Sequence, residues 1–224
     1  MKVYLAEFLG TFILVFVGTG AIVINDVTHG AVSHVGISLT FGLVVMAMIY
    51  SVGEVSGAHL NPAVTFGFWV SGRLPGGQVA PYALSQLGGA GLASGVLRVL
   101  FPSHATLGAT LPTAALAHAF VIEILLAFFL MFVILNVSTG AKKRGVMAGV
   151  AIGGIVGLGA LFAGPITGAS MNPARSIAPA LVSSRVEHLW VYVIAPFLGA
   201  YLAMWGCRGV QAQGCCRAAQ ESGR

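Results

Sequence analysis

Charge is scarce in this sequence. Of its 224 residues only 8% are Asp, Glu, Lys or Arg, and six are acidic. A soluble globular domain carries about 25% charged residues, so a water-exposed surface cannot be assembled from this chain. With 57% hydrophobic residues and a mean hydropathy of +0.93, it belongs in a bilayer. The net charge of +5 does not imply a nucleic-acid partner, because the basic residues stand at the ends of apolar segments rather than in a stripe. Cysteine is nearly absent. Cys207, Cys215 and Cys216 lie at or beyond the end of the last apolar segment and imply no disulfide framework. Enzyme signatures are missing too: no Gly-x-Ser-x-Gly elbow, no phosphate loop, no metal-spaced histidine pair. The six histidines are scattered, and His29, His104 and His188 read as solvated residues of external loops. No catalytic residue, metal or cofactor is expected. A cleavable signal is also lacking: Lys2 leads straight into an apolar stretch over 4–23, read as a retained first span.

What is present is long apolar segments, near 4–25, 34–52, 79–101, 116–138, 145–163 and 189–207. Each is long enough to cross about 30 Å of hydrocarbon. Between them stand two near-identical stretches, Gly57-Ala58-His59-Leu60-Asn61-Pro62-Ala63 and Gly168-Ala169-Ser170-Met171-Asn172-Pro173-Ala174. Asn caps a helix by accepting an orphan N–H, and Pro suits the first helical position, where no N–H is needed. The spacing predicts short helices over 61–70 and 172–182 that begin inside the bilayer. The chain repeats itself elsewhere as well: the run from Glu7 to Val17 aligns with that from Glu123 to Val133. Each half runs span, span, half-helix, span. An odd number of spans inserts the second half upside down, which makes an inverted repeat with its functional site near the midplane. The expected fold is an all-α membrane protein of six transmembrane helices and two re-entrant half-helices. It forms a domain over 1–207, with repeats at about 1–103 and 114–207, and a flexible cytoplasmic tail over 208–224. Basic residues at 2, 73, 142–144, 208, 217 and 224 would share the cytoplasmic side with both termini, opposite Arg98 and Arg185.

Polar groups within such a chain are functional candidates. Glu7 and Glu123 occupy equivalent repeat positions. A proton relay is one reading; the favoured one is that each accepts hydrogen bonds from the N–H groups of a re-entrant loop. Glu54 and His59 brace or line the inner mouth. Loops 53–60 and 164–171 are irregular backbone, tolerated at membrane depth only if buried or lining a water-filled cavity. Their carbonyls would form a ladder of acceptors, with the amides of Asn61 and Asn172 as donors at its centre. Arg175, directly after the second stretch, either presents its guanidinium to a passing solute or reaches for the outer interface.

Two Asn-Pro-Ala repeats in inverted halves, Arg175 after the second, and the paired glutamates resemble the aquaporin family of major intrinsic proteins over about residues 3–207. The resemblance implies a pore in each subunit of a homotetramer in the plasma (inner) membrane, passively conducting water or small uncharged solutes. Asn61, Pro62, Ala63, Asn172, Pro173 and Ala174 would form the pore centre. By spacing from these motifs, Phe41, Ala160, Ala169 and Arg175 would form the outer selectivity filter. A one-residue slip in the fifth span would bring Gly159 or Leu161 to the wall instead of Ala160. Water-selective members usually have His at that position, so Ala160 and the small Ala169 imply a wider, more apolar opening. Glycerol facilitators usually have Asp after the Arg, where this chain has Ser176. The stretch from Gly164 to Ser176 looks most like the nodulin-like intrinsic proteins, a group associated with glycerol, urea and neutral metalloid acids. The leading expectation is a channel for water and glycerol-sized or metalloid hydroxyl solutes. A water-selective channel is the alternative, ahead of an ion-coupled transporter or a sealed junction protein.

Overall fold

The computed structural model describes residues 1–138 and 142–211. Within them the chain forms eight α-helices: α1 (Lys2–Val27), α2 (Ser33–Ser56), α3 (Pro62–Val70), α4 (Val79–Leu100), α5 (Leu116–Val137), α6 (Lys142–Thr167), α7 (Pro173–Ser183) and α8 (Leu189–Val210). A 3₁₀ turn, Gly76–Gln78, leads into α4. Six of these helices are long and apolar enough to cross a membrane. The distribution of polarity is that of a protein in lipid. Leu84, Val99 and Phe162 are 70%, 80% and 71% exposed, while Glu7, Glu123 and Arg175 are buried. At nine and eleven residues, α3 and α7 extend about 14 and 16 Å at 1.5 Å per residue, so each covers about half of the hydrocarbon.

Close helix packing follows the repeat. α1 lies against α4, and its equivalent α5 against α8. A Cβ on Gly89 would stand 2.1 Å from the carbonyl oxygen of Phe8, and one on Gly199 2.3 Å from that of Ile124. Only a residue without a side chain permits that approach. Between the halves α2 meets α6, where Gly42 and Gly153 face each other's carbonyls at 2.7 and 2.5 Å from the same hypothetical atom. The half-helices cross over: α3 packs on α8 and α7 on α4, so each half holds the other's short helix.

Two expectations need correction. The irregular loops are shorter than 53–60 and 164–171, because α2 runs on to Ser56 and α6 to Thr167. Pro165 does not end α6. It has no N–H to offer the carbonyl four residues back, and His34 Nε2 donates to that oxygen, Leu161 O, at 2.8 Å instead. Both helices stop at a glycine in the left-handed region, Gly57 and Gly168, each at φ +83°. The second correction concerns Cys207, which is disulfide-bonded. Most of the expected tail, 212–224, including Cys215 and Cys216, lies outside the described residues, and α8 continues to Val210.

Hydrogen bonds at the two ends fix which segments share a side. Tyr4 Oη donates to Gln78 Oε1 at 2.7 Å, Arg73 Nη1 to Ser138 Oγ at 2.8 Å, and Gln211 Nε2 to Asn136 Oδ1 at 2.8 Å. The start of α1, the segment after α3, the end of α5 and the end of α8 therefore lie together. At the opposite end the N–H of Ser33 bonds Asn25 Oδ1, His104 pairs with Asp26, and the N–H of Thr113 bonds Ile166 O. Lys2, Arg73 and Arg208 belong to the first end, Arg98 to the second.

Candidate functional site

Each re-entrant loop is held open by a buried carboxylate. Glu7 Oε1 accepts from Ser56 Oγ at 2.7 Å and the N–H of His59 at 2.9 Å. Its Oε2 accepts from the N–H of Leu60 at 2.7 Å and Gln86 Nε2 at 2.8 Å. Glu123 repeats the pattern with Thr167 Oγ1 at 2.8 Å and the N–H groups of Ser170 and Met171 at 2.9 and 3.0 Å. A second brace comes from tyrosines: Tyr82 donates to Ser56 O at 2.8 Å, and Tyr192 to Thr167 O at 2.6 Å. These bonds sustain an uncomfortable backbone. Ala58, Leu60, Ala169 and Met171 all have positive φ, between 43° and 55°, at about 1–2 kcal/mol for each residue with a side chain.

The loops end where the asparagines cap α3 and α7. Asn61 Oδ1 accepts the N–H of Ala63 at 2.8 Å, and Asn172 Oδ1 that of Ala174 at 3.0 Å. Pro62 and Pro173 follow at the first helical position. The amide nitrogens cross between halves: Asn61 Nδ2 donates to Met171 O at 2.8 Å, and Asn172 Nδ2 to Leu60 O at 2.9 Å. The two short helices are thereby tied N-terminus to N-terminus, and each amide retains a second N–H.

A cavity of about 450 Å³ runs past this junction. Phe41, Ala160, Ala169 and Arg175 line it, as do Asn61, Asn172, His59, Tyr50 and Glu54. In the fifth span it is Ala160 that reaches the wall. Gly159 faces Met171 and Leu126, and Leu161 is 43% exposed on the outside. Arg175 is 2% exposed. Its Nη1 donates to Gly108 O at 2.8 Å, its guanidinium carbon sits 5.1 Å from the centre of the Phe41 ring, and its Nε has no partner among the described residues. An arginine buried and partly unpaired against a cavity can offer donors to whatever enters. His59 is stacked on Phe68 at 4.5 Å and tilted against Tyr82 at 4.8 Å, with Nδ1 3.1 Å from Thr65 Oγ1. Glu54 is exposed at the mouth.

Several residues of this site carried no signal that the sequence reading used. Gly108 and Thr110 reach in from the connection between α4 and α5. Gly108 holds Arg175, and Thr110 Oγ1 donates to Ser176 Oγ at 2.9 Å. That connection is pinned by His104, whose Nδ1 accepts the N–H of Leu107 at 3.0 Å while Nε2 lies 3.3 Å from Asp26. His104 is thus a structural histidine with a side chain 9% exposed, not a solvated one. The available clue was Gly108, the one glycine in the connection over 101–115; Leu107 beside it is fully buried.

Comparison with known proteins agrees with this architecture. The model of the family "Major intrinsic protein" matches residues 1–206. Aquaporin NIP1-4 of Oryza sativa subsp. japonica is 53% identical over 206 residues, which cover 92% of this chain and 75% of that protein. Nodulin-26 of Glycine max is 44% identical over 201 residues, 89% of this chain and 74% of the relative. Among solved structures, the aquaglyceroporin from Plasmodium falciparum superposes with a TM-score of 0.80 at 26% identity, covering 90% of this chain and 93% of that one. A match along nearly the whole chain, to the family and to its solved fold alike, identifies this multi-pass membrane protein as a member of the major intrinsic protein family of channels.

Proposed function

We propose that this channel passively conducts water together with uncharged solutes of about glycerol size, including neutral metalloid acids such as arsenious, boric and silicic acid, and excludes protons and ions. The observation that carries the reading is that two alanines, Ala160 and Ala169, line the cavity together with Phe41 and Arg175. Phe41 and the two methyl groups offer apolar walls to the carbon face of a polyol. Arg175 offers donors to its hydroxyls and repels cations. Deeper in, Asn61 and Asn172 each present one remaining N–H. A water held by both must turn its oxygen to them, which interrupts the chain along which a proton hops. Each half-helix adds about half a positive charge at its N-terminus. Glu7 and Glu123 are loop braces in this scheme, not relays, since among the described residues their hydrogen bonds go to loop N–H groups, to the last helical residue before each loop, and to Gln86. The protein works in the plasma membrane as a homotetramer with both termini in the cytoplasm.

Stopped-flow light scattering on proteoliposomes tests the proposal, with water, glycerol and arsenious acid measured on one preparation. Fast water with fast glycerol or arsenious acid entry is expected, linear in the gradient and independent of a pH difference. Fast water alone overturns the wide filter, and saturable flux driven by a pH gradient overturns the passive channel.

A further inference from the structure

We infer that Gly18 of α1 is a specificity-determining position: by lacking a side chain it seats the Phe41 ring and so sets the aperture beside Arg175. A Cβ at residue 18 would lie 2.3 Å from Cε1 of Phe41 and 2.7 Å from both Cδ1 and Cζ, where ordinary contact begins at 3.4 Å. The ring occupies the space a side chain would fill. A methyl group there must drive it back by about 1 Å to restore van der Waals separation.

The repeat shows which way the ring would go. The offset that carries Glu7 to Glu123 carries Leu14 to Leu130 and Gly18 to Ile134. On α5, Leu130 and Ile134 stand one turn apart and both line the cavity. On α1 Leu14 lines it too, but at Gly18 the wall is made by Phe41, reaching over from α2. Position 18 therefore faces the cavity, with the ring between them and the Arg175 guanidinium beyond it at 5.1 Å. A ring displaced from α1 moves into the opening, toward Arg175. Gly18 thus acts through Phe41, as a positioning residue.

The inference rests on the proposed pore, and the test separates the two. Gly18→Ala, Phe41→Ala and the double variant are compared with the unsubstituted channel in proteoliposomes, per inserted channel, with water and glycerol as probes. Gly18→Ala is expected to lower glycerol permeability about tenfold or more while water falls much less, since one methyl group commonly discriminates on that scale. Adding Phe41→Ala is expected to restore glycerol entry. An unchanged Gly18→Ala overturns the inference, as does an equal fall for both probes that Phe41→Ala does not relieve. If Gly18→Ala alone fails to fold, a folded, conducting double variant supports the seat and a failing one overturns it. An unsubstituted channel that passes water only moves the readout to water, with the same rescue required. One that passes neither probe removes the pore reading, and the inference with it.

Discussion

An imidazole at position 160 would change what fits between Phe41 and Arg175. Ala160 is 7% exposed and lines the cavity with a single methyl group, so Ala160→His adds a ring where the proposed filter has empty space. Glycerol permeability is expected to drop about tenfold or more with water reduced far less; an equal loss of both, by stopped-flow scattering, means that residue 160 does not bound the passage. The charge barrier is tested separately. Arg175→Val removes the only guanidinium lining the cavity among the described residues, along with its bond to Gly108. Cation or proton conductance in planar bilayers is the expected result, and conductance that stays nil assigns exclusion to the half-helix termini alone. At this scale the sequence was most readable where a residue type has one strong local use. Asn followed by Pro can cap and start a helix, and it does so twice. It was least readable where a partner arrives from a connection without periodicity: nothing in the spacing of residues 101–115 linked Gly108 to Arg175, or His104 to Asp26.

The re-entrant loops are elements that cannot hold themselves. Five residues in each loop, 57–61 and 168–172, link a long helix to a short one through left-handed turns, and each loop depends on a carboxylate from α1 or α5. Glu123→Ala strands the N–H groups of Ser170 and Met171 and the hydroxyl of Thr167. At about 1–3 kcal/mol for each buried donor left unpaired, several kcal/mol of stability should disappear. A marked fall in thermal unfolding temperature in detergent is the expected reading, and an unchanged one would show that Tyr192 alone suffices to hold the loop. The pairing of Glu7 with Glu123 was legible because the repeat puts both at the same register of equivalent helices. The exact helix ends were not. Gly53 and Pro165 look like breakers in sequence, yet α2 and α6 pass through them, Pro165 with its orphaned carbonyl satisfied by His34, a residue 127 positions before Leu161. Gly89, Gly153 and Gly199 are sites of close helix packing. Which partner each one meets is a tertiary fact, outside the reach of spacing.

For the molecule as a whole, the inverted repeat determines topology more firmly than any single segment does. An odd number of spans per half returns the chain to its starting side only after both halves, and the bonds Tyr4–Gln78, Arg73–Ser138 and Asn136–Gln211 bring those starting-side segments together. Hydrophobic length and the repeat were enough to read this arrangement from sequence. What they leave open is which end faces the cytoplasm, and for that the charge distribution supplies a prediction. Lys2, Arg73 and Arg208 gather at one end, where α6 also begins at Lys142, whereas the other end has Arg98 and Arg185 together with Asp26 and Glu187. Basic residues are retained on the cytoplasmic side, so the 3₁₀ turn before α4 should be internal and the α4–α5 connection external. Gly77 stands in open space and Ser103 is exposed, so a cysteine at either site would be reachable without disturbing the fold. With a membrane-impermeant maleimide on intact cells, Ser103→Cys should label above the unsubstituted chain and Gly77→Cys should not. Inside-out vesicles should reverse the two. The opposite pattern would place Arg175 and its constriction at the inner mouth, and the order in which a solute meets Arg175 and the paired asparagines would be reversed.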